Sequence, residues 1–233
     1  NIPLRNGAAK RNMTIKIDGR LLGEFQTPLA RSEPDYYGFF DVSRYRGKML
    51  AIEVDAFPRD LDHISLDDEI KGSEDLYCEK HRPQFHFTSR RGWLNDPNGL
   101  IYYKGLYHMY YQHNPVGLPW GNMTWGHAVS KDLVHWEERP VGLWHDEMGS
   151  MHSGSAAVDV LNTSGWQTGD TPPLILAYTA SFGNAGNDKI QRQCIAYSTD
   201  GARTFTKFEG NPLLGESQVL AQGSGNARDP KVF

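Results

Sequence analysis

Trp93-Leu94-Asn95-Asp96-Pro97-Asn98-Gly99 runs on through Leu100-Ile101-Tyr102-Tyr103 and Lys104-Gly105 into Leu106-Tyr107-His108-Met109-Tyr110-Tyr111-Gln112. Two aromatic and aliphatic runs on either side of a Lys-Gly pair predict a β-hairpin. The residues ahead of it are a dense turn signal, since proline fixes one φ, Asn-Gly supplies a positive one, and Asp favours the start of such turns. In isolation Asn95 to Gly99 reads as a turn former. Phe85-His86-Phe87 and Trp93 precede it, so the expected arrangement is a turn that closes off a strand beside aromatic surface.

Toward the N-terminus the pattern stays β-like. Met13-Thr14-Ile15-Lys16-Ile17 alternates, Asp18-Gly19 marks a turn, and Leu21-Leu22 through Phe25 resumes an apolar stretch, which together predict a hairpin. Tyr36 to Val42 reads as another strand, Arg46-Gly47-Lys48 as a turn, and Met49 to Val54, with Ile52 and Val54 alternating, as a half-buried strand. No helix-period stripe competes as far as about Ala56, so residues 1 to about 75 read as a small β-sandwich. Asp60 to Asp75 is polar and acidic and suits a linker. The domain boundary is placed to give an accessory unit over residues 1–78 and a second unit over 79–233.

Toward the C-terminus, Ala128-Val129-Ser130-Lys131-Asp132-Leu133 with Trp136 is echoed by Ala196-Tyr197-Ser198-Thr199-Asp200-Gly201 with Phe205, an offset of 198 minus 130, or 68 residues. A strand, a Ser-x-Asp turn and an aromatic on the next strand could recur from blade to blade of a propeller. Because Ser-x-Asp turns are common, coincidence is the competing explanation.

Composition narrows the function classes. With 233 residues and 39% hydrophobic content the chain can build a packed core. A net charge of -4 and the lack of any Lys/Arg-rich run argue against a nucleic-acid partner. Aromatic content of 12% suits a β-rich core or a surface that stacks on sugar rings, the core being the default for most of these residues. Cys78 and Cys194 form no metal-spaced pair and imply neither a disulfide framework nor a zinc site. The chain opens at Asn1 with no signal peptide and no membrane-spanning apolar run, and is read as a processed or trimmed form of a soluble protein. Asn12, Asn122 and Asn162 head N-x-S/T triplets, which matter only in a secretory host.

Two carboxylates stand out. Asp96 on its turn could attack the anomeric carbon of a sugar. Asp229 follows 229 minus 96, or 133, residues later in Arg228-Asp229-Pro230; it reads either as an exposed ion pair before a proline or as an ionised, arginine-flanked group accepting hydrogen bonds from sugar hydroxyls. Asn95 and Gln112 bring amides suited to hydroxyl recognition, and equally suit turn or strand-end positions. Trp120 to His127 sets two tryptophans and a histidine between glycines, where sugar C–H faces could stack, although buried Trp and core His are more usual. His127 has no ligand partner at metal spacing and reads as structural. Ser153-Gly154-Ser155 is either a tight strand with a hydroxyl-lined floor or a flexible turn.

Taken in order, these segments closely resemble glycoside hydrolase family 32, the invertases, inulinases and levanases. The resemblance rests on Trp93 to Gly99, Tyr111 to Pro115, Trp120 to His127, Ser130 to Trp136, Ser153 to Ala156, and Arg228 to Pro230, and spans roughly residues 81–233. It implies an all-β chain: the small N-terminal β-sandwich followed by the first blades of a five-bladed β-propeller, with the site in the central funnel. It further implies Asp96 as nucleophile and Asp229 as transition-state stabiliser. Trp93, Asn95, Gln112, Trp120, Ser153 and Arg228 would line the pocket for the terminal fructosyl unit. The implied reaction is retaining double displacement through a covalent fructosyl-enzyme, with no metal or organic cofactor. The implied partner is a fructose-containing oligo- or polysaccharide, and the implied location is extracellular or periplasmic.

The chain departs from the family pattern in two places. His152 precedes Ser153 where the family often has Phe, altering one pocket wall. The family's acid/base is a Glu in a Glu-Cys pair downstream of Arg-Asp-Pro, and only three residues follow Pro230. Cys78-Glu79 has the reverse order, Gln193-Cys194 lacks the carboxylate, and Glu216 precedes Arg228. The expectation is the front portion of a longer enzyme, inactive as an isolated piece. Hydrolysis releasing fructose from β-fructosides is the leading expectation. Fructosyl transfer to a sugar acceptor, and non-catalytic fructan binding by a chain that ends here, are the alternatives.

Overall fold

The computed structural model describes residues 1–55, 61–182, 190–215, 217–218 and 226–233. Ala56 and Asp60, which bound two sequence expectations, and Glu216 lie outside the described residues. The chain separates into two compact units, one made of Asn1–Leu94 with His113–Asn122, the other of Asn95–Gln112 with Met123–Phe233.

The first unit carries two small sheets. β1 (Ile2–Leu4) pairs with β4 (Tyr36–Gly38), and β2 (Arg11–Ile17) stands between β3 (Arg20–Thr27) and β5 (Leu50–Val54). Met13, Ile15 and Ile17 alternate into the core, as a strand of period two requires. Asp18 and Gly19 both take positive φ, at 48° and 78°, the two-residue turn that matches strand twist. The Asp18 carboxylate accepts the Met49 N–H at 2.9 Å, which docks β5 beside the turn.

The strand expected over Tyr36 to Val42 ends at Gly38. Asp41 Oδ1 accepts the Ser43 N–H at 2.9 Å, and a 3-10 turn over Ser43–Tyr45 follows. A short side chain that bonds its own backbone competes with sheet pairing. Residues 62–72 form no helix or strand and are tied down by the Asn1 side chain, which donates to Asp67 and to the Glu69 carbonyl and accepts from the Lys71 N–H; a 3-10 turn over Ser73–Asp75 follows.

The second unit holds two four-stranded sheets. In the first, the order is β6 (Trp93–Tyr103), β7 (Leu106–Asn114), β8 (Thr124–Ser130), β9 (Trp136–Leu143); in the second, β10 (Ser150–Val158), β11 (Leu174–Phe182), β12 (Ile190–Ser198), β13 (Thr206–Lys207). The ends of β6 and β7, Trp93-Leu94 and His113-Asn114, belong to the first unit. The hairpin forms at Lys104-Gly105, with φ of 50° and 81°. Each sheet runs from strand to neighbouring strand in sequence order, the up-and-down pattern of a propeller blade.

One core joins the two sheets. Tyr110, Trp125 and Leu143 from the first pack with Met151, Leu176, Tyr178, Cys194 and Ala196 from the second. The Trp125 and Tyr178 rings meet edge to face at 6.4 Å, a geometry their quadrupoles favour. Trp125 satisfies its indole N–H on the His152 carbonyl at 2.9 Å. Gly126 is required here, because a Cβ would fall 2.1 Å from the Tyr111 ring.

The 68-residue repeat has a common structural device. Ser130 Oγ accepts the Asp132 and Leu133 N–H groups, while Asp132 accepts from Val134 and His135. Ser198 Oγ accepts from Asp200 and Ala202, while Asp200 accepts from Arg203 and Thr204. The second turn is one residue longer: Gly201, which matches Leu133 (65°), has φ 81°, and Ala202 after it is positive as well, at 66°. Each device ends the third strand of its sheet and delivers the chain to the fourth.

Candidate active site

Asn95 to Gly99 does not close off a strand as the sequence suggested. It lies inside β6, an eleven-residue strand. The local turn signals survive as kinks, with Asp96 at φ 32° and Gly99 at φ 55°. Gly99 has to lack a Cβ, which would stand 2.7 Å from Tyr110 Cδ2 and 3.0 Å from Trp125 Cζ3. Asp96 itself is exposed. A left-handed φ on a residue in mid-strand costs backbone energy and persists only where neighbours over-determine it.

β10 supplies a side chain that bonds Asp96. Pairing between β10 and β11 shifts register between His152 and Gly154, so Ser153 is the extra residue of a bulge, a device that re-aims a side chain. Ser153 Oγ donates to Asp96 Oδ2 at 3.3 Å. Gln112 is buried on β7, and its Nε2 donates to the Met151 carbonyl at 2.8 Å. That carbonyl can only accept, so the orientation of the Gln112 amide is fixed.

The Arg228-Asp229-Pro230 segment is anchored to the second sheet. Ser155 Oγ donates to the Pro230 carbonyl at 2.8 Å and accepts the Val232 N–H at 2.9 Å. The Asp229 N–H donates to Thr179 Oγ1 at 3.1 Å, Gln193 Nε2 to the Ala227 carbonyl at 2.8 Å, and Gln191 Nε2 to Asn226 Oδ1 at 2.9 Å. Asp229 has φ 61°, and both it and Arg228 are exposed.

These anchors share one face of the sheet. Tyr178 and Leu176 point to the core, so Thr179, Ala177 and Ile175 point to the opposite side. In register with Thr179 are His152 and Gln193, and in register with Ser181 are Ser150 and Gln191. The result is a polar face, largely buried, that holds a chain segment instead of a second apolar layer.

Trp93 and Trp120 lie in the first unit. Trp93 opens β6, its N–H donating to the Gly117 carbonyl and its own carbonyl accepting from His113 Nδ1, each at 3.0 Å. Trp120 sits half-buried on a loop clamped by Asn114, whose amide donates to the Pro119 carbonyl and accepts from Val116 and Asn122. Asn95 is half-buried on β6. Of the eight residues expected at the site, Asp96 and Ser153 are in direct contact. Gln112 and the Asp229 segment are held by that same strand β10.

Sequence reasoning singled out Ser153 but missed Ser155, Thr179, Gln191 and Gln193 as anchors. The available signal was Thr179 and Ser181 at alternate positions of the otherwise apolar β11; on β12 Arg192 stands between Gln191 and Gln193 and hides the alternation. His127, read as structural, stacks on Tyr110 at 4.4 Å and bonds His108 at 3.0 Å.

An all-β chain with sequentially ordered four-stranded antiparallel sheets belongs with the β-propellers, and its structural neighbours are propeller enzymes. The chain is a member of glycosyl hydrolases family 32, whose N-terminal domain matches residues 86–233. It is 53% identical over 157 residues to a levanase from Bacillus subtilis (strain 168), covering 67% of this chain and 22% of that protein. It is 44% identical over 165 residues to an invertase from Schizosaccharomyces pombe, covering 67% and 27%. Among solved structures it is similar to exo-inulinase from Aspergillus awamori, with TM-score 0.60 and 41% identity over 67% of this chain and 33% of that one. It is also similar to β-fructofuranosidase from Schwanniomyces occidentalis complexed with fructosyl-erythritol, with TM-score 0.57 and 42% identity over 65% and 29%. The chain thus spans between a fifth and a third of the length of these relatives.

Proposed function

We propose that this chain is the front portion of a retaining β-fructosidase that releases fructose from levan, inulin or sucrose. Residues 1–78 form an accessory domain, and residues 79–233 contribute the first blades of a five-bladed propeller. Asp96 attacks C2 of the terminal fructosyl unit and forms a covalent ester as the glycosidic oxygen leaves. A Glu of a downstream Glu-Cys pair protonates that oxygen and later deprotonates the water that cleaves the ester. Asp229 stabilises the cationic character at C2 and accepts hydrogen bonds from fructose hydroxyls. Asn95, Gln112, Ser153 and Arg228 line the pocket. Secretion accompanies this reading, as in the relative named extracellular exo-inulinase.

The observation that carries the proposal is the contact of Ser153 with the Asp96 carboxylate on a strand, β10, that also holds the Arg-Asp-Pro segment through Ser155. A hydroxyl donor beside a nucleophilic carboxylate fixes which oxygen is presented for attack. The relatives' names, levanase and invertase, give the substrate class.

Replacing Asp96 by Ala in the complete gene product is expected to abolish fructose release from sucrose, inulin and levan while leaving thermal unfolding unchanged. Activity surviving at a tenth of wild type, a loss of only about 1.4 kcal/mol, would remove Asp96 from the nucleophile role.

A further inference from the structure

We propose that Thr179 and Gln193 act together as positioning residues that aim the Asp229 carboxylate. The proposal rests on the assignment of Asp229 as stabiliser. Thr179 is fully buried and stands directly across from Gln193 in the β11–β12 register. Their side chains bond each other, Thr179 Oγ1 to Gln193 Oε1 at 2.9 Å.

The direction of every bond in this group is dictated by two backbone atoms. The Asp229 N–H can only donate, so Thr179 Oγ1 has to accept from it. The hydroxyl's single proton is then free to go to Gln193 Oε1. That leaves the Gln193 amide nitrogen facing the Ala227 carbonyl, which can only accept. The chain of bonds therefore closes a ring across Ala227, Arg228 and Asp229, with no alternative proton arrangement. Flipping the amide breaks both bonds that Gln193 makes, and rotating the hydroxyl breaks its bond to Gln193.

The ring holds the residue that most needs holding. At φ 61° Asp229 sits in the left-handed region, which Asp tolerates better than most side chains but which is uncommon outside glycine, so a bond to its N–H helps to hold it there. The neighbouring bonds from Ser155 fix Pro230 and Val232 but leave the Asp229 N–H to Thr179 alone among the described residues. The backbone at Asp229 sets the direction of its Cα–Cβ bond and hence the position of its carboxylate. A group that stabilises charge developing in the transition state loses effect when misplaced by about 1 Å.

Thr179→Val keeps the shape and removes both hydrogen bonds. In the complete gene product it is expected to lower kcat for fructose release from sucrose 30-fold or more, with KM changed less than threefold. Thr179→Ser, which restores the hydroxyl, is expected to stay within threefold of wild type. Gln193→Met should reproduce the Thr179→Val loss. The decisive readout is a cycle with Asp229→Asn: if Thr179 acts through the carboxylate, Thr179→Val in the Asp229→Asn background lowers kcat less than twofold further. Thr179→Val, or Gln193→Met if the former does not fold, overturns the proposal by retaining more than half of wild-type kcat or by multiplying the Asp229→Asn loss in full. Failure of both variants to fold beside a folded Asp229→Asn assigns the pair to stability alone and also overturns it. Wild-type kcat in Asp229→Asn instead removes Asp229 as stabiliser, a separate result.

Discussion

Ser153 and Ser155 stand two residues apart on β10, and each holds a different acid-bearing segment: Ser153 donates to the Asp96 carboxylate, and Ser155 bonds both the Pro230 carbonyl and the Val232 N–H. Residues 133 positions apart in the chain are thereby referred to one short piece of backbone. The bulge at Ser153 and the extended backbone at Ser155 set the two hydroxyl directions.

Ser153→Ala tests the weaker of these links. The bond is long, at 3.3 Å, and exposed, so its removal is expected to leave the unfolding midpoint within about 0.5 kcal/mol of wild type. Turnover should fall about threefold to tenfold, or roughly 0.7–1.4 kcal/mol, because Asp96 loses a donor that orients it. Steady-state kinetics on sucrose checks this; an unchanged kcat would show that Asp96 is oriented by other means.

How much of this could be read from the chain depends on how local each signal is. The Lys104-Gly105 hairpin and the Ser130 and Ser198 turns are legible because their bonds form within four residues. Asn95 to Gly99 misleads for the same reason: the positive φ values at Asp96 and Gly99 are present, but strand membership is decided by the distant pairing of β6 with β7. The site is legible in Asp96, Ser153 and Asp229 through family resemblance. Thr179 and Gln193 are not, since their partners at 227 and 229 are 34 and 50 residues away and nothing nearby marks them. Position 152, where the resemblance leads to an expectation of Phe, holds a buried His whose carbonyl receives the Trp125 indole, a role that any residue's backbone can fill.

The paired Ser-x-Asp devices predict matched costs. Ser130 and Ser198 are both buried, and each accepts two backbone N–H groups, so Ser→Ala at either site leaves donors unsatisfied. A loss of about 1–2 kcal/mol is expected for each, measured by urea unfolding. A cost near zero at one site would show that its turn is held by the Asp alone.

Buried histidines give the protein a defined acid limit. Burial holds His113 and His145 at about 4 and His127, also repelled by His108, at about 3, all below the usual 6.5. His108 Nε2 faces the Tyr103 carbonyl and so carries the proton, which makes its Nδ1 the acceptor for His127. In the unfolded chain these rings take up protons near pH 6.5, while in the fold they stay neutral. Their contribution is therefore complete above pH 6.5 and is lost as pH falls toward 4. For His113 the full shift corresponds to roughly 3 kcal/mol. The urea midpoint should be flat above pH 7 and drop between pH 6.5 and 4, less steeply in His127→Gln. An unchanged slope in that variant would mean His127 is already charged in the fold.

Gly154 joins the bulge to the rest of β10, and steric contact makes it the most demanding position in the strand. A Cβ there would lie 2.0 Å from the Ala177 carbonyl oxygen and 2.9 Å from Tyr178 Cα, both backbone atoms of β11 that cannot swing aside. Gly154→Ala therefore has to separate β10 from β11. The expected cost is about 3 kcal/mol or more, at the upper end for an overpacked site. Because Ser153 and Ser155 flank the glycine, the same displacement moves the holds on Asp96 and on Pro230 together. Activity in Gly154→Ala should then fall further than in Ser153→Ala even at temperatures where the variant remains folded. Unfolding by urea and kcat on the folded fraction measure the two effects; a variant as stable and as active as Ser153→Ala would show that β10 and β11 are not in close contact at Gly154.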